Sequence, residues 1–513
     1  MKKTLLFSFL LAILCSGCSI INTIPKEDPI QGAGAVTLKF IQINDVYEIS
    51  PLNGGEYGGL ARVAYIRDSI KKDYPNTFMF LAGDFLNPSL LGTLKHEGET
   101  INGKHMVDVL NAMEIDLVTF GNHEFDLSES ELQKRLDESK FKWTSANVRH
   151  ATEEKVSPFT TKLEYTNAPI SDYVTFPAHD EEGNQIQFAV FGVTLPSNPK
   201  DYVSYENIYE SSKRAYKEAI QKSDFVVGLT HVSIEEDLEI ARLLRNLPLI
   251  MGGHEHFNML LKEGRTIITK ADANAKTVYV HTLIYKLRTK MLSVASELVF
   301  VGSDVPSAPK VERVVKKWEE LLDNKLKEVV DSPYDVIYKA DEILDGTDDA
   351  NRSKQTNLGN IITKSMAHAY NNKVAGAIVN GGSIRIDDNL QGNITSTDIF
   401  RVLPFGGSVL KVQLRGSLLI EVLEYGNNQK GSGAYLQRHN FTQNSKGTWL
   451  VQGAPINPKL RYTIAISDFL MKGLDIPFLT QENNRVLKVY TPSEKENASD
   501  IRKAIVSYLK SKK

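Results

Sequence analysis

Apolar residues in this chain gather into short runs bounded by polar turns. Residues 36–43, 78–82, 116–120, 188–193, 225–230 and 249–251 are each too short for a helix and read as buried strands. Between them lie segments with helical spacing: one running to residue 72 from Gly58-Gly59-Leu60-Ala61-Arg62, then 104–113, 211–222 and 235–244. Ser128-Glu129-Ser130-Glu131 has capping-box form before a further helix ending near Ser139. This alternation predicts an α/β layered domain, closed by more strands over 277–301.

Residues 303–309 are rich in Pro and Ser and read as a break. A charged amphipathic helix follows over 310–330, with Val314, Val315, Trp318, Leu321, Leu322 and Leu326 on its apolar face. It reads as an interdomain helix, its charges forming a solvated face. The predicted organisation is therefore a main domain over 36–305, a linking helix over 306–335 and a second domain over 336–513. No internal repeat or low-complexity tract is visible.

The start of the chain changes the picture of its compartment. Lys2-Lys3 is basic, residues 5–14 are apolar, and Ser16-Gly17-Cys18 offers small residues for cleavage. Residues 1–18 thus read as a secretory signal, too short to span a membrane. It resembles a bacterial lipoprotein signal with Cys18 as the lipidated residue, although Cys15 stands where that pattern usually has Leu. Residues 19–35, rich in Pro, Gly and polar residues, read as a flexible tether. The expectation is an exported protein of the cell envelope, in the periplasm or at the cell surface, touching the membrane only through that lipid. Cys15 and Cys18 are the only cysteines, so the mature chain would hold no disulfide and rely on core burial. With 513 residues and a net charge of -3, it has ample length for a core and no case for a nucleic-acid surface. Oligomeric state is left open.

The candidate chemistry sits at the strand ends. Asp45 and Tyr47 follow the first strand, Asp84 the second, and Asn122 and His123 the third. His231 follows Thr230, and His254 and His256 follow Gly252-Gly253. Within Gly121–Asp126, Asn122 offers a neutral oxygen ligand, His123 a proton donor, and Asp126 a carboxylate to orient it. Singly, such residues are caps or satisfied loop groups. Together they make a two-metal site, because carboxylate, imidazole and amide oxygen suit Zn, Mn, Fe or Co.

Asn44-Asp45-Val46-Tyr47, Gly83-Asp84, Gly121-Asn122-His123-Glu124-Phe125-Asp126, Thr230-His231 and Gly252-Gly253-His254-Glu255-His256 resemble the calcineurin-like metallophosphoesterases, in their bacterial secreted 5′-nucleotidase branch. The resemblance implies a four-layer β-sandwich flanked by helices, followed by a smaller α/β nucleotide-binding domain. It implies two divalent ions, with Asp84 bridging, Asp45 and His256 at the first, and Asn122, His231 and His254 at the second. His123 would assist the leaving oxygen, oriented by Asp126. One residue departs: Tyr47 stands where the family has His. Three readings stay open for it, namely a phenolate ligand favouring a harder ion such as ferric iron, a non-ligand beside a weaker first site, or the mark of an inactive site.

C-terminal motifs extend the resemblance: 352–360, Asn380-Gly381-Gly382-Ser383-Ile384-Arg385, Leu403-Pro404-Phe405-Gly406 and Ser467-Asp468-Phe469-Leu470. By it, Arg352 and Arg385 would bind phosphate, Asn380 and the rings of Phe405 and Phe469 the base, and Asp475 the ribose. The loop Lys472-Gly473-Leu474-Asp475 departs from the family's Gly-Gly-Asp-Gly. In the family the two domains rotate to carry substrate to the metals. The leading expectation is a 5′-nucleotidase acting on nucleoside monophosphates. The alternatives are a phosphodiesterase of 2′,3′-cyclic nucleotides or nucleotide-sugars, and a nucleotide-binding lipoprotein with a dead first metal site.

Overall fold

The computed structural model describes residues 34–512 apart from 164–165, 197–199, 329, 331 and 387. The expected signal, with Cys18, and all but the last two residues of the expected tether lie outside the described residues.

Two six-stranded sheets form the N-terminal domain. The first runs in the order Met291–Phe300, Thr277–Lys286, Ala35–Ile43, Thr77–Ala82, Leu117–Thr119, Lys142–Thr144. Its last four strands are parallel, and the first two add an antiparallel edge. The second sheet is ordered Tyr173–His179, Gln185–Thr194, Phe225–His231, Leu249–Gly252, Thr266–Lys270, Met259–Glu263. Its central four strands are parallel between two antiparallel edges.

Side chains alternate across each strand, and both faces of each sheet are covered. Along Ala35–Ile43, Val36, Leu38 and Phe40 point into the layer between the sheets, where they meet Phe188, Val190, Leu229 and Met251. Phe40 and Phe188 face each other with ring centroids 4.9 Å apart. Ile41 and Ile43 point the other way, under helices Leu60–Asp73, Lys104–Met113 and Glu129–Glu138. Helices Ile208–Ala219 and Ile234–Leu243 cover the outer face of the second sheet. The result is a four-layer α/β/β/α sandwich. The helix expected over 211–222 starts earlier because the Asn207 side chain accepts from Tyr209 N and Glu210 N, a cap that sets its first turn.

Helix Pro309–Lys327 buries Val311, Val315 and Trp318 in the N-terminal core. Near its other end Leu326 joins Leu90 and Phe400, and so touches both domains. The C-terminal domain is built on a sheet ordered Leu436–His439, Ala377–Asn380, Arg461–Ser467, Val409–Arg415, Val486–Tyr490. Helices Asn357–His368 and Ile501–Lys510 pack on one face and Gly416–Asn428 on the other. Arg401 Nε donates to Glu48 Oε1 at 2.9 Å and Lys276 pairs with Asp388, which seats this domain on the rim of the first.

Candidate metal centre and substrate cleft

Parallel strands place all their C-terminal ends on one rim, and loops leaving that rim carry the polar groups. Pairing sets Ile43 level with Leu81 and Leu81 level with Val118, so Asp45, Asp84 and Asn122 leave the first sheet side by side. Thr230 is level with Gly252 on the second sheet, which brings His231 beside the His254 loop. Three of these residues hold left-handed backbone: Asp45 at φ 51°, Asp84 at φ 54° and His254 at φ 83°. Such conformations are costly without glycine and persist where the surroundings over-determine them. The loops also press close. A Cβ on Gly121 would stand 2.1 Å from Asp84 Oδ1, so only glycine fits there.

The donor atoms converge. Ligand atoms of Asp45, Asp84 and His231 lie within 4.8 Å of one another. His231 Nε2 is 3.1 Å from Asp84 Oδ2 and 3.2 Å from Asn122 Oδ1. His256 Nε2 is 3.4 Å from Asp45 Oδ1, and its ring sits 5.5 Å from that of Tyr47. The Tyr47 hydroxyl is 3.3 Å from Asp84 Oδ2 and 3.2 Å from His256 Nε2. The rings of His231 and His254 lie 5.5 Å apart, and His254 N donates to Asp45 Oδ2 at 3.0 Å.

The residues fit a metal on this structure's own evidence. Asp45 Oδ1 is buried and has no hydrogen-bond partner, a state a cation would relieve. His231 Nδ1 donates to the Ala82 carbonyl at 2.8 Å, which turns Nε2 toward the carboxylates. Burial opposes charge on His231, yet the Asp84 and Asp45 carboxylates hold its proton up to about 9. The same negative field would hold a cation. Burial likewise opposes ionised Asp84, and His231 and His123 overcome it and hold the carboxyl well below its usual range. Burial, then the neighbouring His231, lowers His254, leaving a neutral imidazole suited to ligation.

His123 stands at the edge of this cluster. Its Nδ1 is 2.8 Å from Asp126 Oδ2, and its backbone N–H donates to Asp84 Oδ1 at 2.7 Å. Burial works against its charged form, but Asp84 and Asp126 raise it to about 10. Asp126 also accepts from Asn87 Nδ2 at 2.9 Å. The second domain reaches the same spot, with Arg385 3.8 Å from Asp126.

In that domain, Ala377–Asn380 runs parallel to Arg461–Ser467, and Val409 pairs with Ser467. The segments around Asn380, Phe405 and Phe469 therefore leave one end of the sheet. The Arg385 guanidinium lies 5.8 Å from the centroid of the Phe405 ring, which is 60 % exposed. Asn380 Nδ2 donates to Asp475 Oδ2 at 2.7 Å, and Arg352 pairs with Asp348 at 2.9 Å. Burial raises the Asp475 carboxyl against the pull of Asn380, Arg352 and Arg385. Phe469 is half-buried beyond Ser467.

Sequence reasoning assigned no role to two supporting groups. Glu124 has no exposed surface, and its carboxylate accepts from the backbone N–H groups of Asp84, Phe85, Leu86 and Gly121, at 2.5 to 3.0 Å. It thereby ties the Asp84 loop to the Asn122 loop. Burial and then the nearby Asp84 charge push its carboxyl up to about 7. Lys270 is also fully buried. Its ammonium donates to Val232 O at 2.6 Å, lies 3.1 Å from Asp237 Oδ2, and pairs with Glu255 between His254 and His256. Glu255 accepts from Ile234 N at 2.7 Å, and Asp237 from Thr230 Oγ1 at 2.7 Å. A lysine closing an apolar run, with an acid between two histidines, was the only signal available.

Residues 38–258 match the calcineurin-like phosphoesterase family and residues 336–481 the 5′-nucleotidase C-terminal domain. Human 5′-nucleotidase is 25% identical over 449 residues, spanning 79% of this chain and 75% of its own. The trifunctional nucleotide phosphoesterase YfkN of Bacillus subtilis is 28% identical over 422 residues, spanning 74% of this chain but only 28% of that longer protein. The crystal structure of a 5′-nucleotidase precursor from Thermus thermophilus superposes with a TM-score of 0.66 at 22% identity, covering 93% of this chain and 97% of the other, and shares the fold.

Proposed function

From its membership of the calcineurin-like phosphoesterases that carry a 5′-nucleotidase C-terminal domain, and hence as a metal-dependent phosphoester hydrolase, we propose that this chain hydrolyses nucleoside 5′-monophosphates to nucleoside and phosphate. One observation carries the reading: Arg385 of the second domain, with the Phe405 ring 5.8 Å from its guanidinium, stands 3.8 Å from Asp126, the partner of His123 in the first.

Asp45, Tyr47 and His256 would hold one metal ion and Asn122, His231 and His254 another, with Asp84 between them. Such ions, of the Zn, Mn, Fe or Co class, supply an activated water and screen the phosphoryl charge when bound. The chain's own groups do the rest. Nδ1 of His123 is committed to Asp126, so Nε2 is the atom that delivers a proton to the leaving ribose oxygen. Asp126 orients that ring and favours its charged form. Arg352 and Arg385 anchor phosphate oxygens as planar forks. Phe405 and Phe469 hold the base, and Asp475, oriented by Asn380, accepts from the ribose hydroxyls. Glu124 keeps the two loops that carry Asp84 and Asn122 in step.

Export rests on the leader and on Cys18 as lipid anchor. No helix among the described residues is long and apolar enough to cross a membrane. Metabolic labelling with a fatty acid, lost in Cys18→Ala, tests this part.

The decisive experiment measures phosphate release from AMP by the mature chain supplied with Mn²⁺ or Zn²⁺. Release should fall ~10²–10⁴-fold in His123→Ala with metal content unchanged. A metal-loaded wild type that releases no phosphate from AMP rejects the reading.

A further inference from the structure

We propose that Arg502, at the start of the C-terminal helix Ile501–Lys510, is a positioning residue for the base, because it sets the turn that presents the Phe405 ring. This role rests on the nucleotidase reading above and deepens it. Arg502 lies beyond residues 336–481, the stretch of this domain that matches the family.

Exposure sets the problem. A ring that stands 60 % exposed is not held by its own packing. A base stacks best on a ring whose place is fixed beforehand, since ordering the ring on binding costs affinity. The backbone around Phe405 must therefore do the holding. Residues 403–408 join helix Ser396–Val402 to strand Val409–Arg415 and pass through two left-handed glycines, Gly406 at φ 62° and Gly407 at φ 101°. Such glycines permit a sharp turn but leave it free to take other shapes.

Arg502 removes that freedom. Its own place is fixed twice. Nε and Nη2 fork onto the Asp500 carboxylate at 2.6 to 3.2 Å, and the guanidinium lies 4.3 Å from the centroid of the buried Phe400 ring. From there Nη1 donates to Pro404 O at 3.2 Å. Nη2 fills the space beside Gly406, where a Cβ would stand 2.6 Å from it. The carbonyl before Phe405 and the glycine after it are thus both set against one rigid group. Pro404 O also accepts from Thr93 Oγ1 at 3.3 Å, but that donor belongs to the first domain. Beyond the ring, Ile501 N donates to Gly407 O at 2.8 Å. Asp468 N donates to Ser408 O at 2.9 Å, which ties the turn to the segment carrying Phe469, the other ring expected on the base.

The test compares wild type, Arg502→Met, Phe405→Ala and the double variant as metal-loaded mature chains, on AMP and on p-nitrophenyl phosphate, which has no base. Arg502→Met should raise KM for AMP about fivefold or more with little change in kcat, a part of the loss expected from removing the ring itself. The ratio of kcat/KM for AMP to that for p-nitrophenyl phosphate should fall by the same factor. In the Phe405→Ala background Arg502→Met should add less than about twofold, because both changes act through one ring. Hydrogen exchange reads the turn without any substrate. Amides of residues 403–408 should exchange about tenfold faster or more in Arg502→Met, while those of strand Arg461–Ser467 stay slow. Arg502→Lys keeps a donor for the carbonyl but not the fork, so it should lie between, and it carries the same comparison should Arg502→Met not fold. Equal losses on both substrates, or a full effect of Arg502→Met in the Phe405→Ala background, would mean a general structural role and overturn the proposal. Unchanged exchange at 403–408 would overturn it too. AMP turnover with an unaltered KM in Arg502→Met removes this inference and leaves the nucleotidase. A wild type that hydrolyses p-nitrophenyl phosphate but not AMP removes the nucleotidase, and the exchange comparison then decides what Arg502 does to the turn.

Discussion

Replacing Lys270 by methionine removes a buried cation of nearly the same length and leaves its partners in place. Asp237 has no exposed surface, and the Glu255 side chain is only 17% exposed. An exposed ion pair would contribute no more than ~1 kcal/mol. Here two carboxylates lose a shared buried counter-ion, for which a loss of ~3–5 kcal/mol is expected. The pH dependence follows from Asp237. Burial, against the pull of Lys270, pushes its carboxyl up to about 6 from an ordinary 3.8. The folded protein therefore holds that proton more tightly than the unfolded chain, and Asp237 takes stability away as pH rises through that window. Ionising it costs the fold ~3 kcal/mol by about pH 7. Without Lys270 the carboxyl stays protonated to higher pH. The deficit of Lys270→Met should be less than half as large at about pH 5 as at about pH 8. Urea unfolding checks this, followed by Trp143 and Trp318 fluorescence in a Trp449→Phe background so that only the N-terminal domain reports. A deficit below ~1 kcal/mol, equal at both pH values, would falsify the idea of a buried clamp.

Other outcomes follow from the same site. Glu124→Gln keeps the shape but replaces a charged acceptor of four backbone N–H groups, so thermal unfolding should show a loss of ~1.5–3 kcal/mol, with weaker metal binding by chelator competition. Phe405→Ala removes an exposed ring that would stack on the base. It should raise KM for AMP by ~10–100-fold and leave hydrolysis of p-nitrophenyl phosphate, which has no base, nearly unchanged. Adding Mn²⁺ or Zn²⁺ at ~100 times Kd to chelated protein should stabilise the N-terminal domain by ~2.7 kcal/mol in the same urea assay. Unchanged stability would mean that Asp45 Oδ1, buried without a hydrogen-bond partner, is not a ligand.

Much of the fold was legible because its signals are local. Short apolar runs, glycines at their ends and the capping residue Ser128 fix where strands and helices begin, whatever they later pack against. The rim was legible for the same reason: Asp45, Asp84, Asn122, His231, His254 and His256 all follow an apolar run within a few residues. The ends of elements were less so. The helix at Ile208 begins three residues before its expected start, since its cap lies in Asn207, outside the periodic stretch.

What the sequence determined by itself is the list of groups and the strand ends that carry them. Only the tertiary structure decided how those groups face one another. Glu124 reaches the amides of Asp84, Phe85 and Leu86 because Thr77–Ala82 and Leu117–Thr119 pair in parallel, and no spacing within the chain announces that contact. Lys270 meets Asp237 and Glu255 because its strand end lies beside that of Leu249–Gly252, which leads to Glu255, and near the first turn of helix Ile234–Leu243, which carries Asp237. Arg385 stands by Asp126 because one domain seats on the other through Glu48 and Arg401. Local sequence sets backbone propensity and side-chain chemistry. Distances across strands and domains are set by packing, which no single stretch of chain contains.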